Sequence, residues 1–289
     1  MNKDNSICVS IVIPSYNQGI YLEETIQSVI EQTYNNIEML IIDGGSKDNS
    51  VDVIKKYEKQ ISYWVSEPDK GQCDAINKGM RKAKGELICW VNSDDILYPD
   101  FVAQRVRQFE EFPNVGMIYG DIDQGKNLSS PRPCNGRPTD IKKMIRHAEC
   151  PIPQQSAMWR KSVVEKIGYL DVQWNVVLDR EYFTRIAANF PIKYISGSVG
   201  FFRNHENSKS IMQRLKWAEE LPRYYEMVFN NNIYSLPPDV LRYKQECLLK
   251  IYLKCAGMLK KAGNKQQAEV FFQKAKKMGI IKYLISRYF

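Results

Sequence analysis

Two adjacent carboxylates, Asp94 and Asp95, stand in the run Asn92-Ser93-Asp94-Asp95 directly behind the apolar stretch Glu86 to Val91. Where a buried element meets a loop, neighbouring carboxylates repel one another unless water solvates them or a cation bridges them. Hard oxygen ligands of this kind suit Mg2+ or Mn2+. The alternative is structural: Asp95 caps a following turn and Asp94 stays solvated. This stretch alone leaves the two readings even. Comparable polar clusters close three other apolar runs, at Ser15-Tyr16-Asn17, Asp43-Gly44-Gly45 and Ser66-Glu67-Pro68-Asp69. Any one of them reads as an ordinary polar loop, but their repetition at strand ends is what a ligand site along one sheet edge requires.

The elements that must position these residues alternate. Val9 to Pro14 is a continuous apolar run, and Leu22, Ile26, Val29 and Ile30 fall at helical spacing behind it. Glu38 to Ile42 is strand-like, and Asp48 is placed to cap a helix carrying Val51, Ile54 and Tyr57. Strand-like Ile61 to Val65, helical Asp74 to Lys84, strand-like Glu86 to Val91, helical Pro99 to Phe112 and strand-like Val115 to Tyr119 follow. Short buried strands separated by single helices imply right-handed crossovers in a mainly parallel sheet. The Pro-, Gly- and Asn-rich stretch from Asp121 to Pro153 reads as one long connection. Beyond it the sequence predicts strands at Ser156 to Trp159, Ile192 to Ile195 and Val199 to Phe202, and helices at Ser162 to Ile167 and Asp179 to Asn189.

Taken in order, Val9-Ser10-Ile11-Val12-Ile13-Pro14-Ser15-Tyr16-Asn17, Asp43-Gly44-Gly45-Ser46, Asp69-Lys70-Gly71-Gln72, Asn77-Lys78-Gly79 and Asn92-Ser93-Asp94-Asp95 resemble the signature of family 2 glycosyltransferases. The likeness continues through Gln154-Gln155-Ser156-Ala157-Met158-Trp159-Arg160, Gly168-Tyr169-Leu170-Asp171, Asp179-Arg180-Glu181 and Phe202-Arg203-Asn204-His205-Glu206-Asn207-Ser208-Lys209-Ser210. It spans about residues 8 to 210. It implies the GT-A fold, a Rossmann-like α/β architecture with a mainly parallel mixed sheet flanked by helices, here with a helical C-terminal extension. It further implies metal-dependent, inverting transfer of a sugar from a nucleotide diphosphate to an acceptor hydroxyl.

By the same resemblance, Pro14, Ser15, Tyr16, Asp43 and Asp69 hold the nucleotide. A carboxylate accepts hydrogen bonds only, so Asp43 suits the ring N–H of uracil or thymine and implies a UDP- or dTDP-sugar. The family's DxD motif reads Asn92-Ser93-Asp94, with an amide in the first place. Asn92 is then expected at the ribose, Asp94 at the metal, and Asp95 at the donor sugar's hydroxyls or the metal. His205, one of two histidines, completes the metal shell, and an imidazole ligand favours Mn2+ over Mg2+. A lone histidine is otherwise more often a surface or core residue. Lys209 is expected at the diphosphate, Asp179 as the general base, and Glu181 at the acceptor or a basic neighbour. Gln155 and Trp159 are expected at the donor sugar or acceptor. Asp179 also reads as a plain helix cap, and the two roles are compatible.

Composition bounds the rest. With 44% hydrophobic and 26% charged residues the chain is ordinary globular protein. Its formal charge of +8 is unevenly spread: residues 1 to 210 hold 26 Lys and Arg against 27 Asp and Glu, and residues 211 to 289 hold 15 against 6. The sequence therefore divides into a catalytic domain at 1–210 and a basic, mainly helical region at 211–289. In the latter, Leu248, Ile251, Tyr252, Cys255 and Leu259 share one helical face and Lys250, Lys254 and Lys261 the other. Packing on the catalytic domain or on a homodimer partner is the plain reading of that apolar face. The sharper one is peripheral docking on an anionic inner membrane that carries lipid-linked glycan acceptors. Leu284, Ile285, Arg287, Tyr288 and Phe289 extend the same character. Nucleic acid is not an expected partner, because the catalytic part interleaves no aromatic with basic residues. Seven scattered cysteines without a CxxC pair and the absence of a leader-like h-region lead to an expected cytoplasmic location. Two other functions fit parts of the pattern: a sugar-phosphate nucleotidyltransferase, for which Pro14 to Gly19 is a poor triphosphate loop, and a non-catalytic scaffold on a transferase fold.

Overall fold

A computed structural model describes residues 6–206, 208–209 and 213–279. Asn207 and Ser210 of the motif, and Leu284, Ile285, Arg287, Tyr288 and Phe289 of the tail, lie outside the described residues. Contacts divide the chain into two compact units. The first is drawn from Met1–Pro138, Pro151–Gln173 and Phe190–His205, the second from Thr139–Cys150, Trp174–Asn189 and Glu206–Phe289.

The first unit is built on one mixed sheet. Its leading half runs β1 (Val9–Ser15), α1 (Gly19–Ile30), β2 (Ile37–Asp43), α2 (Ser50–Lys56), β3 (Tyr63–Ser66), α3 (Gln72–Lys82) and β4 (Leu87–Trp90). These four strands are parallel, in the order β3-β2-β1-β4. Every residue of β1 is buried, which is why it reads as an apolar run, interrupted only by Ser10, whose hydroxyl donates to Glu38, instead of an alternating one. Helix α1 buries Leu22, Thr25, Ile26 and Val29 at helical spacing. Helix α3 lies close on β1 because residue 79 is glycine; a Cβ there would run into the Val12 side chain. Asp48 accepts from Ser50 N and from Gly19 N, so one carboxylate closes the starts of both α2 and α1.

The second half adds β5 (Ile96–Leu97), α4 (Phe101–Glu111), β6 (Met117–Gly125), β7 (Arg132–Cys134), α5 (Ile141–His147), β8 (Met158–Arg160), α6 (Lys161–Ile167), α7 (Leu178–Asn189) and β9 (Ile192–Arg203). Strand β8 runs antiparallel to β4 and β6, β6 and β9 are parallel, and β5 pairs antiparallel to β9. Two sequence expectations need correction. The stretch from Asp121 to Pro153 is not a bare connection: β6 continues to Gly125, β7 returns along it, and α5 follows behind an Asp140 cap on Lys143 N. Polar composition hides the strand because its polar groups are satisfied internally. Asp121 accepts from Tyr194 Oη, Gly197 N and Gly136 N. The two strands expected at 192–195 and 199–202 are a single strand, whose register on β6 shifts around Asp121 where Gly197 takes φ of +121°.

The second unit is helical: α5, α7, α8 (Arg214–Asn230), α9 (Pro238–Leu241), α10 (Lys244–Lys261) and α11 (Lys265–Lys277). Leu248, Ile251, Tyr252, Cys255 and Leu259 of α10 are all buried, against α8, α11 and α5 of the same unit. That apolar face is therefore covered from within. No helix among the described residues is long and apolar enough to cross a membrane.

Candidate active site

The loops after β1 and β2 are stitched together. Gly44 N donates to Ser15 O, Asn17 N to Ser46 Oγ, and Lys47 N to Asn17 Oδ1. Asn17 takes φ of +52°, a left-handed conformation that asparagine tolerates. Pro14 and Ser15 end β1 buried, whereas Tyr16 is 59% exposed beside them. A Cβ on Gly44 would lie 2.6 Å from Asp69 Oδ2 and 3.3 Å from Tyr16 Cδ2, so Tyr16, Gly44 and Asp69 meet at the carboxyl edge of β1 to β3. Asp69 itself accepts from Gly71 N at 2.7 Å. Asp43 is fully buried. Its Oδ2 accepts from Gly45 N, Ser46 N and Ser66 Oγ, and its Oδ1 from Ser46 Oγ. The turn-forming role is thus present in full, and the acceptor capacity left to a base lies on Oδ1.

Behind β4 the acidic run splits in two directions. Asp95 faces inward, fully buried, and accepts from Asn92 Nδ2 at 2.9 Å, Gln155 Nε2 at 2.8 Å and Arg203 N at 3.1 Å. Burial, and then the charge of Asp94, pushes its carboxyl up to about 8. The expected contact between Asp95 and donor hydroxyls is not available in this arrangement; the residue organises the site from below. Asn92 is bound on both sides of its amide, donating also to Gln154 Oε1 and accepting from Gln72 Nε2. The amide at the first place of the motif lets residue 92 donate to Asp95 Oδ2 and Gln154 Oε1 while accepting from Gln72, which an ionised carboxylate, an acceptor only, could not do. Trp159 is a second correction. It is wholly buried, edge-on to Trp90 with ring centroids 5.2 Å apart, and belongs to the core. Gln155 is buried against Asp95. Gln72, Gln154 and Arg203, to which the motifs assign no role, hold this network together.

Asp94 turns the other way. Its Oδ2 lies 2.9 Å from His205 Nε2, the two being separated by 111 residues in sequence. Arg203 brings the end of β9 to this point, with Nε donating to Asp94 O and the guanidinium pairing with Glu24 of α1. Tyr21 of α1 lies against the imidazole, 4.6 Å between ring centroids. His205 Nδ1 is buried and has no hydrogen-bond partner among the described residues. One carboxylate oxygen and one imidazole nitrogen, converging from remote elements, are chemically fit for a divalent cation whose other positions come from phosphate or water. No group of three or more His, Cys, Asp or Glu side chains arranged for a metal occurs among the described residues.

Asp179, Glu181 and Lys209 belong to the second unit. Asp179 stands in the first turn of α7, half-buried, and accepts from Arg180 N at 2.7 Å. Burial raises its carboxyl above the ordinary aspartate value, opposed by the Arg180 N–H and by the charges of Arg180 and Lys209. Lys209 therefore bears electrostatically on Asp179. Glu181 is buried in an ion pair with Arg185 and accepts from Tyr234 Oη, so its basic neighbour is Arg185.

The sequence profile described as glycosyl transferase family 2 matches residues 10–168. An uncharacterized glycosyltransferase of Mycobacterium tuberculosis is 34% identical over 182 residues, covering 62% of this chain and 68% of the relative. One from a Nostoc species is 29% identical over 208 residues, covering 68% and 65% respectively. Among solved structures, residues 1–349 of Staphylococcus aureus TarS in complex with UDP-GlcNAc share 12% identity, with 94% of this chain and 92% of that one covered and a TM-score of 0.61. The chain spans 54% of the longer TarS structure. The mannosyltransferase of Pyrobaculum calidifontis, in complex with GDP-Man and Mn2+, shares 17% identity, with 98% and 80% covered and a TM-score of 0.66. The curled, mostly parallel sheet with flanking helices is the GT-A architecture of these transferases, and the chain belongs to glycosyl transferase family 2.

Proposed function

We propose that the chain transfers a sugar from a UDP- or dTDP-sugar to an acceptor hydroxyl, with inversion at the anomeric carbon. The observation that carries this reading is the Asp94–His205 pair, closed at 2.9 Å at the end of a loop that follows a buried parallel strand. Pro14, Ser15, Tyr16 and Asp69 cradle the nucleotide. Asp43 Oδ1 takes the base N–H once the Ser46 hydroxyl turns aside. Asn92 has both amide hydrogens engaged, so its contact with the ribose falls to the second lone pair of Oδ1. Asp94 and His205 would hold a divalent cation, Mn2+ in preference to Mg2+ on account of the imidazole. Bound there, it would stabilise negative charge on the departing diphosphate. Asp179 takes the acceptor proton as the oxygen attacks the anomeric carbon, and the electrons of the breaking bond leave with the diphosphate.

Family membership decides against the nucleotidyltransferase alternative. We place the donor chemistry in residues 1–210 and acceptor docking in 211–289. On α11, Lys265, Lys276 and Lys277 are exposed, with Val270 and Phe272 exposed on opposite flanks of the helix, a basic surface suited to an anionic membrane that carries lipid-linked acceptors. A panel of UDP- and dTDP-sugars, scored for nucleotide release with and without Mn2+, tests the donor assignment. Mn2+-dependent release that is weakened by Asp94→Asn and His205→Ala is expected. Release from no sugar nucleotide, even with metal and mixed glycan acceptors, would leave a scaffold on a transferase fold.

A further inference from the structure

Helix α7 begins without a side-chain cap of its own. The residue before it is Val177, which has no oxygen to offer the first free backbone N–H groups. The turn that leads into it is held from α8. Glu220 Oε2 accepts from Asn175 N at 3.1 Å, Val176 N at 2.8 Å and Val177 N at 3.2 Å, and Oε1 accepts from Asn175 N at 3.1 Å. Glu220 is 5% exposed, and no Lys or Arg among the described residues lies within ion-pair distance of it. Its charge is balanced by three successive N–H groups and by the positive end of the helix. Burying a carboxylate without an ion-pair partner is costly, and the charge-assisted hydrogen bonds from the turn offset that cost.

What the carboxylate adds is a fixed point immediately before Asp179. The next fixed points follow directly. Arg180 Nη1 donates to Tyr225 Oη at 3.0 Å, and Thr184 Oγ1 meets Tyr224 Oη at 2.6 Å. Glu220, Tyr224 and Tyr225 lie on one face of α8, so a single helix face grips the first two turns of α7 on either side of Asp179. The Asp179 carboxylate accepts from the neighbouring Arg180 N. Its direction is therefore set by where the backbone of residues 175–180 is held.

We propose that Glu220 is a positioning residue for Asp179: by holding the backbone of residues 175–177, directly ahead of α7, from the C-terminal region it aims the carboxylate at the acceptor hydroxyl. The proposal rests on the reading of Asp179 as the base. It assigns residues after 210 a part in turnover, which a docking region alone would not have. A misplacement of about 1 Å at a reacting group costs on the order of 10²-fold.

The test is a double-mutant cycle in the full chain, with the donor that the nucleotide panel identifies. Glu220→Gln keeps the side chain's size but presents an amide N–H to backbone N–H groups. Turnover is expected to fall about ten- to a hundredfold, with donor KM and UDP affinity within about twofold. In an Asp179→Asn background the same change is expected to cost less than about twofold, because the group it aims is already gone. Glu220→Asp, which retains the charge, restores part of the loss and serves as the second variant should the glutamine form fail to fold. Overturning results are an undiminished kcat in Glu220→Gln, or an equal loss in both backgrounds, which marks a structural role only. Wild-type turnover by Asp179→Asn alone would instead overturn the base assignment, and it is read without any change at Glu220.

Discussion

At the level of single residues, Asp179 carries the sharpest expectation. A positioned base contributes about 10²- to 10⁴-fold, so Asp179→Asn should lower kcat by at least the smaller figure while donor affinity changes little. Its pH dependence has a defined sign. The base works only when ionised, so activity is present above its pKa and lost as pH falls through it. Burial raises that pKa above the ordinary 3.8, and the acidic limb of the kcat profile should sit correspondingly high. A limb at or below the ordinary aspartate value, or one that survives in the asparagine variant, would remove Asp179 from the role. The ordered motifs single out Asp94 and His205, which the fold brings to 2.9 Å, and Asp179, whose role as base is the reading proposed above. Sequence misjudged Asp95 and Trp159, since adjacent acids look alike in a string and only the fold shows that Asp94 faces His205 while Asp95 faces Asn92, Gln155 and Arg203. Glu220 left no trace in the sequence: it is one glutamate among the many that exposed helices carry.

Among the elements, those whose patterns were strong were legible. Strand β1 is buried on both faces and α1 buries a clean stripe, so periodicity and burial agree. Strand β6 past Tyr119 and hairpin strand β7 escaped notice because Asp121 and Asp123 look like loop residues until their partners, Tyr194, Gly197, Tyr98 and Ser198, are brought alongside. The grouping of α5 and α7 with the C-terminal helices was equally hidden, because local periodicity carries no information about which body an element joins. Gly79 gives this scale its test. It lets α3 approach β1, and Gly79→Ala, although it improves helix propensity by about 1 kcal/mol, drives a Cβ into Val12. The steric cost of overpacking is about 1–3 kcal/mol and should outweigh that gain. Denaturant melts ought to show net destabilisation, which a second change, Val12→Ala, relieves. A more stable single variant would mean that α3 does not rest on β1 as described.

For the molecule as a whole, charge asymmetry is the property that no single element explains: residues 1 to 210 are near neutral and the excess of lysine and arginine falls after them. The buried face of α10 removes the helix that the sequence marked for a membrane, and transfers the question to α11, where Val270 is 54% and Phe272 is 42% exposed. Truncation at residue 210 is a poor control for docking, since it would strip Glu220, Tyr224, Tyr225 and Tyr234 from α7 and disturb the fold along with the charge. Reversal of Lys265, Lys276 and Lys277 to glutamate in the full chain avoids this, because all three are exposed. Lys274 is better left alone, lying 3.5 Å from Glu226 and over the Tyr252 ring. Each lysine near an anionic surface is worth about 1 kcal/mol, so losing three attractions and adding three repulsions should abolish flotation with phosphatidylglycerol vesicles. The wild-type chain should float with those vesicles at low salt, much less at high salt, and not with phosphatidylcholine alone. Nucleotide release from the donor in the absence of vesicles should be the same in both proteins. Equal flotation of the wild-type and charge-reversed chains, or none by either, would mean that the basic face of α11 serves something other than an anionic membrane.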